Sequence, residues 1–249
     1  MHVLLAQAAA LSMDFGKNPI LQSVTLYLFF AGTVAMGAGA AYFFLLRTNV
    51  EPAYRSTMVV AGLVCGIACF HYFKMTHVYQ ESGGLEFPTA LRYVDWLFTT
   101  PLLLVKFPLL LRMGDRGTKF FLQLIVLDVA MIVTAFIAET SEVNSERWWT
   151  FFLVACVCEA LIVGVLYLSL GQAIAEAPAP LARSLETMRL FILIGWAVYP
   201  IGFLMARSGN GELREIVYNI SDVINKVGFG LVAYHGIQAM SHSHESARS

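Results

Sequence analysis

Asp222 and Lys226 stand four residues apart in Ser221-Asp-Val-Ile-Asn-Lys226, within a long, largely apolar run. At about 100° per residue, that spacing puts both side chains on one helix face, about 40° apart. A carboxylate and an ammonium so placed make an ion pair, and a buried pair partly neutralises itself. Lysine is also the side chain that binds an aldehyde covalently, and the protonated imine so formed still needs a carboxylate counter-ion. From spacing alone a structural salt bridge and an imine-forming lysine both stand, and the aldehyde is not identified.

A second group of ionisable residues lies in Arg92-Tyr-Val-Asp95-Trp-Leu-Phe-Thr99-Thr-Pro101-Leu-Leu-Leu-Val-Lys106. With Asp95 at zero, Thr99, Lys106 and Arg92 fall at about 40°, 20° and 60°. One stripe therefore carries cation, carboxylate, hydroxyl and amine, the makings of a proton track. Asp95 and Lys106 are about 16 Å apart along the axis, roughly half the hydrocarbon core, so one site is central and the other near an end. A charged group at mid-span costs about 2.5–3.5 kcal/mol even on lenient insertion scales, so each such residue asks for a partner or a function. His71, Lys74, Asp128 and Glu159 join this set. Trp196, Tyr199, Pro200 and Phe203 form an aromatic face beside a proline kink, a pattern that serves core packing as readily as a ligand wall.

The elements that hold these residues are seven apolar windows, roughly 21–46, 57–79, 90–111, 119–138, 149–171, 187–206 and 214–239. Each has about the 20 residues a helix needs to cross a bilayer. Turn and charge signals separate them: Arg47-Thr-Asn-Val-Glu-Pro, Glu81-Ser-Gly-Gly, Met113-Gly-Asp-Arg-Gly, Glu139 to Arg147, Ala175-Glu-Ala-Pro-Ala-Pro and Arg207-Ser-Gly-Asn-Gly. The reading is one all-α domain over 1–249, a seven-helix membrane bundle, with 1–15 processed or disordered and 241–249 a flexible tail. With the N-terminus outside, inner loops hold Arg47, Arg55, Arg112, Arg116, Lys119, Arg183 and Arg189, against Lys17, Arg147, Arg207 and Arg214 outside. That bias favours a cytoplasmic C-terminus, and Glu139, Glu142 and Glu146 then cluster outside.

Composition agrees with lipid as the solvent: 58% of the residues are hydrophobic and 13% charged, against about 25% charged in soluble domains. The net charge of −1 and the absence of any strongly basic or acidic block give no sign of a nucleic-acid partner. Cys65, Cys69, Cys156 and Cys158 all lie in apolar runs and read as small buried hydrophobes, not as a disulfide framework. No metal site is expected.

Taken together, these residues resemble the microbial rhodopsins, seven-helix retinal proteins, and among them the proteorhodopsin-like bacterial proton pumps. The likeness runs from the first helix through Lys226. It rests on Arg92-Tyr-Val-Asp-Trp-Leu-Phe-Thr-Thr-Pro and Ser221-Asp-Val-Ile-Asn-Lys226, supported by Trp196-Ala-Val-Tyr-Pro and Gly66-Ile-Ala-Cys-Phe-His71-Tyr. The resemblance implies a retinal pocket inside the bundle, with all-trans retinal held as a protonated imine on Lys226. Asp95 is then counter-ion and primary proton acceptor, and Asp222 the second counter-ion. Arg92 is expected on the extracellular side, Thr99 hydrogen-bonded to Asp95, and His71 tuning Asp95. Trp96, Trp196, Tyr199, Pro200 and Phe203 should enclose the polyene. Met131 and Asp128 match fourth-helix positions near the ring, with Asp128 in a structural hydrogen bond. Leu103 stands where green-absorbing members carry leucine.

The departure is Lys106, which stands where the family's pumps usually carry a carboxylic proton donor; a small subset of those pumps has lysine there. Desolvation disfavours a buried ammonium, so a neutral amine that relays a proton inward is the expectation. Snorkelling of Lys106 to the headgroups is the plain alternative. The function implied is a light-driven outward proton pump, an ion transporter and not an enzyme, in the inner membrane of a bacterium. The alternative is a sensory rhodopsin that signals to a transducer. A homo-oligomer, pentamer or trimer, is expected. Glu159 and Lys74 have no assigned role, and Glu212 and Glu215 are rival candidates for proton release.

Overall fold

The computed structural model describes residues 18–206 and 209–246. The expectations for 1–15, together with Lys17 and Arg207, lie outside the described residues. Seven long helices follow one another: α1 (Pro19–Leu46), α2 (Arg55–Glu81), α3 (Thr89–Leu110), α4 (Gly114–Glu139), α5 (Glu146–Ala175), α6 (Ala179–Ala206) and α7. The last is built from Gly211–Val223, a π turn at Ile224–Gly228, and Phe229–Ser246. It runs into the segment expected to be a tail. Asn18 caps α1 through its side chain and Ser145 caps α5 in the same way, each satisfying an otherwise orphaned N–H.

Sequential neighbours pack side by side, and α7 closes the ring by packing on α1, α2 and α6. Residues such as Leu45 and Leu168, 74% and 88% exposed, face outward, as lipid-facing side chains must. Six helices, α1 to α6, are long and apolar enough to cross a membrane unaided. The seventh carries five charges between Gly211 and Gly228, namely Glu212, Arg214, Glu215, Asp222 and Lys226, and all five are buried. Its polar face points into the bundle, and the membrane crossing depends on partners there.

Helix α6 begins at Ala179, eight residues before the apolar window at 187. Its first turns are amphipathic, with Leu181, Leu185 and Met188 buried and Arg183 and Glu186 outside that face, so hydropathy alone misses them. Two π turns and two internal prolines shape the centre. Pro101 lies in α3 and Pro200 in α6, while the π turns fall at Phe191–Gly195 and Ile224–Gly228, the latter containing Lys226. Such bulges free carbonyls that other groups must satisfy. Asn225 does so at Gly195, donating from Nδ2 to its carbonyl at 3.0 Å.

Candidate functional site

The α7 bulge presents Lys226 to the middle of the bundle, where it is 2% exposed. Its Nζ donates to Asp95 Oδ2 of α3 at 2.6 Å and lies 3.3 Å from Asp222 Oδ2, four residues earlier on its own helix. The lysine thus sits between two fully buried carboxylates, and the contact from the distant helix is the shorter. Such a charge cluster is tolerable at this depth only because each member is paired.

The two carboxylates differ in their surroundings. Asp222 accepts from the hydroxyls of Tyr199 at 2.6 Å and Tyr72 at 2.8 Å, from Trp96 Nε1 at 3.2 Å, and from Arg92 Nη1 at 3.4 Å. Asp95 Oδ1 has no hydrogen bond, and His71 Nδ1 stands 3.5 Å from it while lying 3.0 Å from the Ile67 carbonyl. The Thr99 hydroxyl donates to the main-chain carbonyl of Asp95 at 2.8 Å and leaves the carboxylate to other donors. A helical threonine reaches the carbonyl four residues back more readily than a side chain on its own face.

Beyond Arg92 a chain of ion pairs leads along the bundle. Arg92 Nη2 donates to Glu215 Oε2 at 2.6 Å and to Asn219 Oδ1 at 2.7 Å, and the other Glu215 oxygen is 2.9 Å from Arg214 Nη2. Arg214 in turn pairs with Glu139 at the end of α4. Glu139 and Arg214 read from sequence as outer loop charges; here they are 14% and 6% exposed and hold α4 to α7. Glu215 and Glu212 are buried as well. Hydropathy does not reveal their burial, because paired charges near a helix end have the composition of a loop.

Lys106 lies on the opposite side, where α3 changes from Thr89–Leu104 to a last turn at Lys106–Leu110. It is fully buried, Nζ makes no hydrogen bond, and it rests 5.0 Å over the Phe229 ring. The side chain is therefore not snorkelled to the surface. Lys74, by contrast, is exposed and stands 6.0 Å over Phe70.

A pocket runs from Lys226 between α3, α4, α5 and α6. Trp96, Leu103, Met131, Trp196, Tyr199, Pro200 and Phe203 line it, every one of the wall residues expected from sequence. Phe203 stacks on Phe152 with ring centres 4.8 Å apart, and Trp96 meets Tyr199 edge-on at 4.8 Å. Tyr93, Phe152, Cys156, Glu159, Tyr218 and Asn225 also line the pocket and were not foreseen. Phe152, Cys156 and Glu159 share one face of α5 at helical spacing, the signal that could have found them. Asp128 lies behind the wall, 2.8 Å from the Thr100 hydroxyl. A slot with aromatic and aliphatic walls that ends at one amine and two carboxylates suits a long apolar aldehyde.

A family model described as "Bacteriorhodopsin-like protein" matches residues 23–240. The green-light absorbing proteorhodopsin of Gamma-proteobacterium EBAC31A08 is 32% identical over 213 residues, 83% of this chain and 84% of its own. Archaerhodopsin-3 of Halorubrum sodomense is 33% identical over 214 residues, 81% of this chain and 80% of its own. Among solved structures, Exiguobacterium sibiricum rhodopsin superposes with a TM-score of 0.83 at 42% identity, covering 89% of this chain and 98% of that one. Xanthorhodopsin, titled a light-driven ion pump with dual chromophore, superposes at 0.84 and 29% identity, covering 92% and 97%.

Proposed function

The chain belongs to the bacteriorhodopsin-like family, and from that premise we propose that it is a light-driven pump carrying protons outward, with retinal joined covalently to Lys226. Family members bind retinal through a lysine and are light-driven transporters, not enzymes. The proposal covers the ion, a proton, and its outward direction. It also includes a bacterial plasma membrane, an outside N-terminus and a homo-oligomer of three or five copies.

The observation that carries the reading is Lys226 Nζ at 2.6 Å from Asp95 Oδ2. The residues present fit retinal: Lys226 is a buried amine at the end of the pocket, and Trp96, Leu103, Met131, Trp196, Tyr199, Pro200 and Phe203 would hold the polyene. When bound, retinal supplies absorption of visible light and a change of shape at the nitrogen it shares with Lys226.

Asp95 is the acceptor for the proton held at Nζ. It is within hydrogen-bond reach, and its second oxygen has bonding capacity left. Asp222 already accepts from four other donors and serves as the standing counter-charge. His71 stands beside the open Asp95 oxygen and adjusts the acceptor. Thr99 fixes the α3 backbone at Asp95. Arg92 divides its guanidinium between Asp222 and Glu215, so charge removed at the centre is felt along the chain toward Glu139. On the other side, Lys106 takes a proton from the cytoplasm and passes it inward, which its dry, unpaired amine suits. A sodium or chloride pump is disfavoured because Asp95 and Thr99 occupy the acceptor segment.

Difference infrared spectroscopy of the retinal-loaded protein tests the acceptor. Illumination should give a protonated-carboxyl band that Asp95→Asn abolishes; the same band in that variant would contradict the assignment.

A further inference from the structure

Glu159 is the one acidic side chain of the pocket wall that the pumping scheme leaves unused. It lies in the middle of α5, shares a face with Phe152, Ala155 and Cys156, and lines the same pocket as Lys226. Helix α5 packs against α4 and α6, whereas Lys226 comes from α7 on the other side of the ring. Glu159 therefore stands at the pocket end away from Lys226. The near end is crowded with paired charges: Asp95, Asp222, Arg92 and Lys226. Among the described residues no cation pairs with Glu159 at the far end, and the Cys156 thiol lines the pocket one turn earlier on the same helix.

We propose that Glu159 is a specificity-determining residue of the retinal pocket: the charge on its carboxyl sets the colour of the bound chromophore from the end opposite Lys226. The inference rests on the retinal reading above and adds a residue that reading does not need.

The effect of that charge on colour is Coulombic. A conjugated polyene with a cationic nitrogen at one end moves positive charge toward the other end on excitation. A carboxylate near the nitrogen then stabilises the ground state more, and one at the far end stabilises the excited state more, because the interaction falls with distance and is strong in a dry pocket. Ionising Glu159 must lengthen the absorption wavelength. Protonating Asp95 also lengthens it, but does so as pH falls, so the two groups act with opposite pH sense. Of the other titratable side chains that neighbouring helices bring here, Tyr218 of α7 donates to the Tyr199 carbonyl and Tyr93 of α3 packs edge-on against Trp96. Asp128 of α4 is bonded to Thr100, and Tyr199 of α6 donates to Asp222. Cys156 of α5 itself is the remaining group to separate.

The test is a pH titration of the visible band in retinal-loaded wild type, Glu159→Gln and Cys156→Ser. The expected result is a shift to longer wavelength with rising pH in wild type and Cys156→Ser that is lost in Glu159→Gln. Identical titrations in wild type and Glu159→Gln would overturn the proposal, as would loss of the shift in Cys156→Ser alone. If Glu159→Gln forms no pigment, Glu159→Asp replaces it: the shortened carboxyl should give a changed shift, and an unchanged one would overturn the proposal. No visible band in wild type would remove the retinal reading, and this inference with it.

Discussion

Tyr72 of α2 donates its hydroxyl to Asp222 Oδ2 of α7 at 2.8 Å, and Arg92 Nη1 lies 3.3 Å from that same hydroxyl. One tyrosine thus joins the counter-charge of Lys226 to the head of the ion-pair chain. A hydrogen bond to a charged group contributes about 1.5–3 kcal/mol. Tyr72→Phe should lower stability by about that amount and displace the visible band, because Asp222 loses a donor beside the chromophore nitrogen. Thermal bleaching of the pigment measures both effects, and a variant with wild-type colour and bleaching temperature would count against this role.

Gly32 of α1 makes room for that tyrosine. A Cβ at this position would lie 2.5 Å from two carbons of the fully buried Tyr72 ring, so the ring must move. Overpacking of this kind costs about 1–3 kcal/mol. Gly32→Ala is expected to displace the visible band as Tyr72→Phe does, because the moved ring carries its hydroxyl away from Asp222; its packing cost falls on ring carbons that Phe keeps, so in the double variant that cost adds to the loss of the hydrogen bond. A Gly32→Ala protein with wild-type colour would show that the glycine does not position the Tyr72 hydroxyl.

Arg214 is buried and stands between Glu139 and Glu215. Arg214→Gln leaves Glu139 without its cation, while Glu215 keeps Arg92. Removing one partner of a buried pair costs about 3–5 kcal/mol, and the low end is expected here. Because the pair is screened little by salt, chemical unfolding in detergent should show the same loss in low and high salt. A loss confined to low salt would mean that the pair is a surface one.

In the proposed cycle, reloading of Lys226 depends on Lys106. Replacing it with Met removes the only ionisable group that α3 places on that side of Asp95, and a positioned proton-transfer group contributes about 10²-fold or more in rate. Flash photolysis of Lys106→Met should show recovery of the protonated chromophore slowed by about that factor. Recovery at the wild-type rate over a range of pH would exclude the relay.

Much of this site was legible because its chemistry follows helical spacing. Asp222 and Lys226 are four apart, the Arg92 to Lys106 stripe lies on one face, and the α6 aromatics line the slot as read. Partner choice was not legible. Lys226 has its shorter contact with Asp95, 131 residues away, which no local pattern encodes. Tyr72 was missed because a tyrosine in an apolar run reads as packing, although it directly follows His71 and falls on the buried face of α2. Thr99 sits on the right stripe, yet its hydroxyl is taken by the backbone. The burial of Glu139 and Arg214 was not legible because a buried ion pair and a loop have the same residue composition.

The measurement that tests the account most directly is the pH of a suspension of cells expressing the protein with added retinal, followed in light and dark. The account predicts acidification of the medium on illumination, abolished by a protonophore and absent in Asp95→Asn cells. A coloured protein that leaves the medium unchanged, or acidification that persists without Asp95, would contradict it.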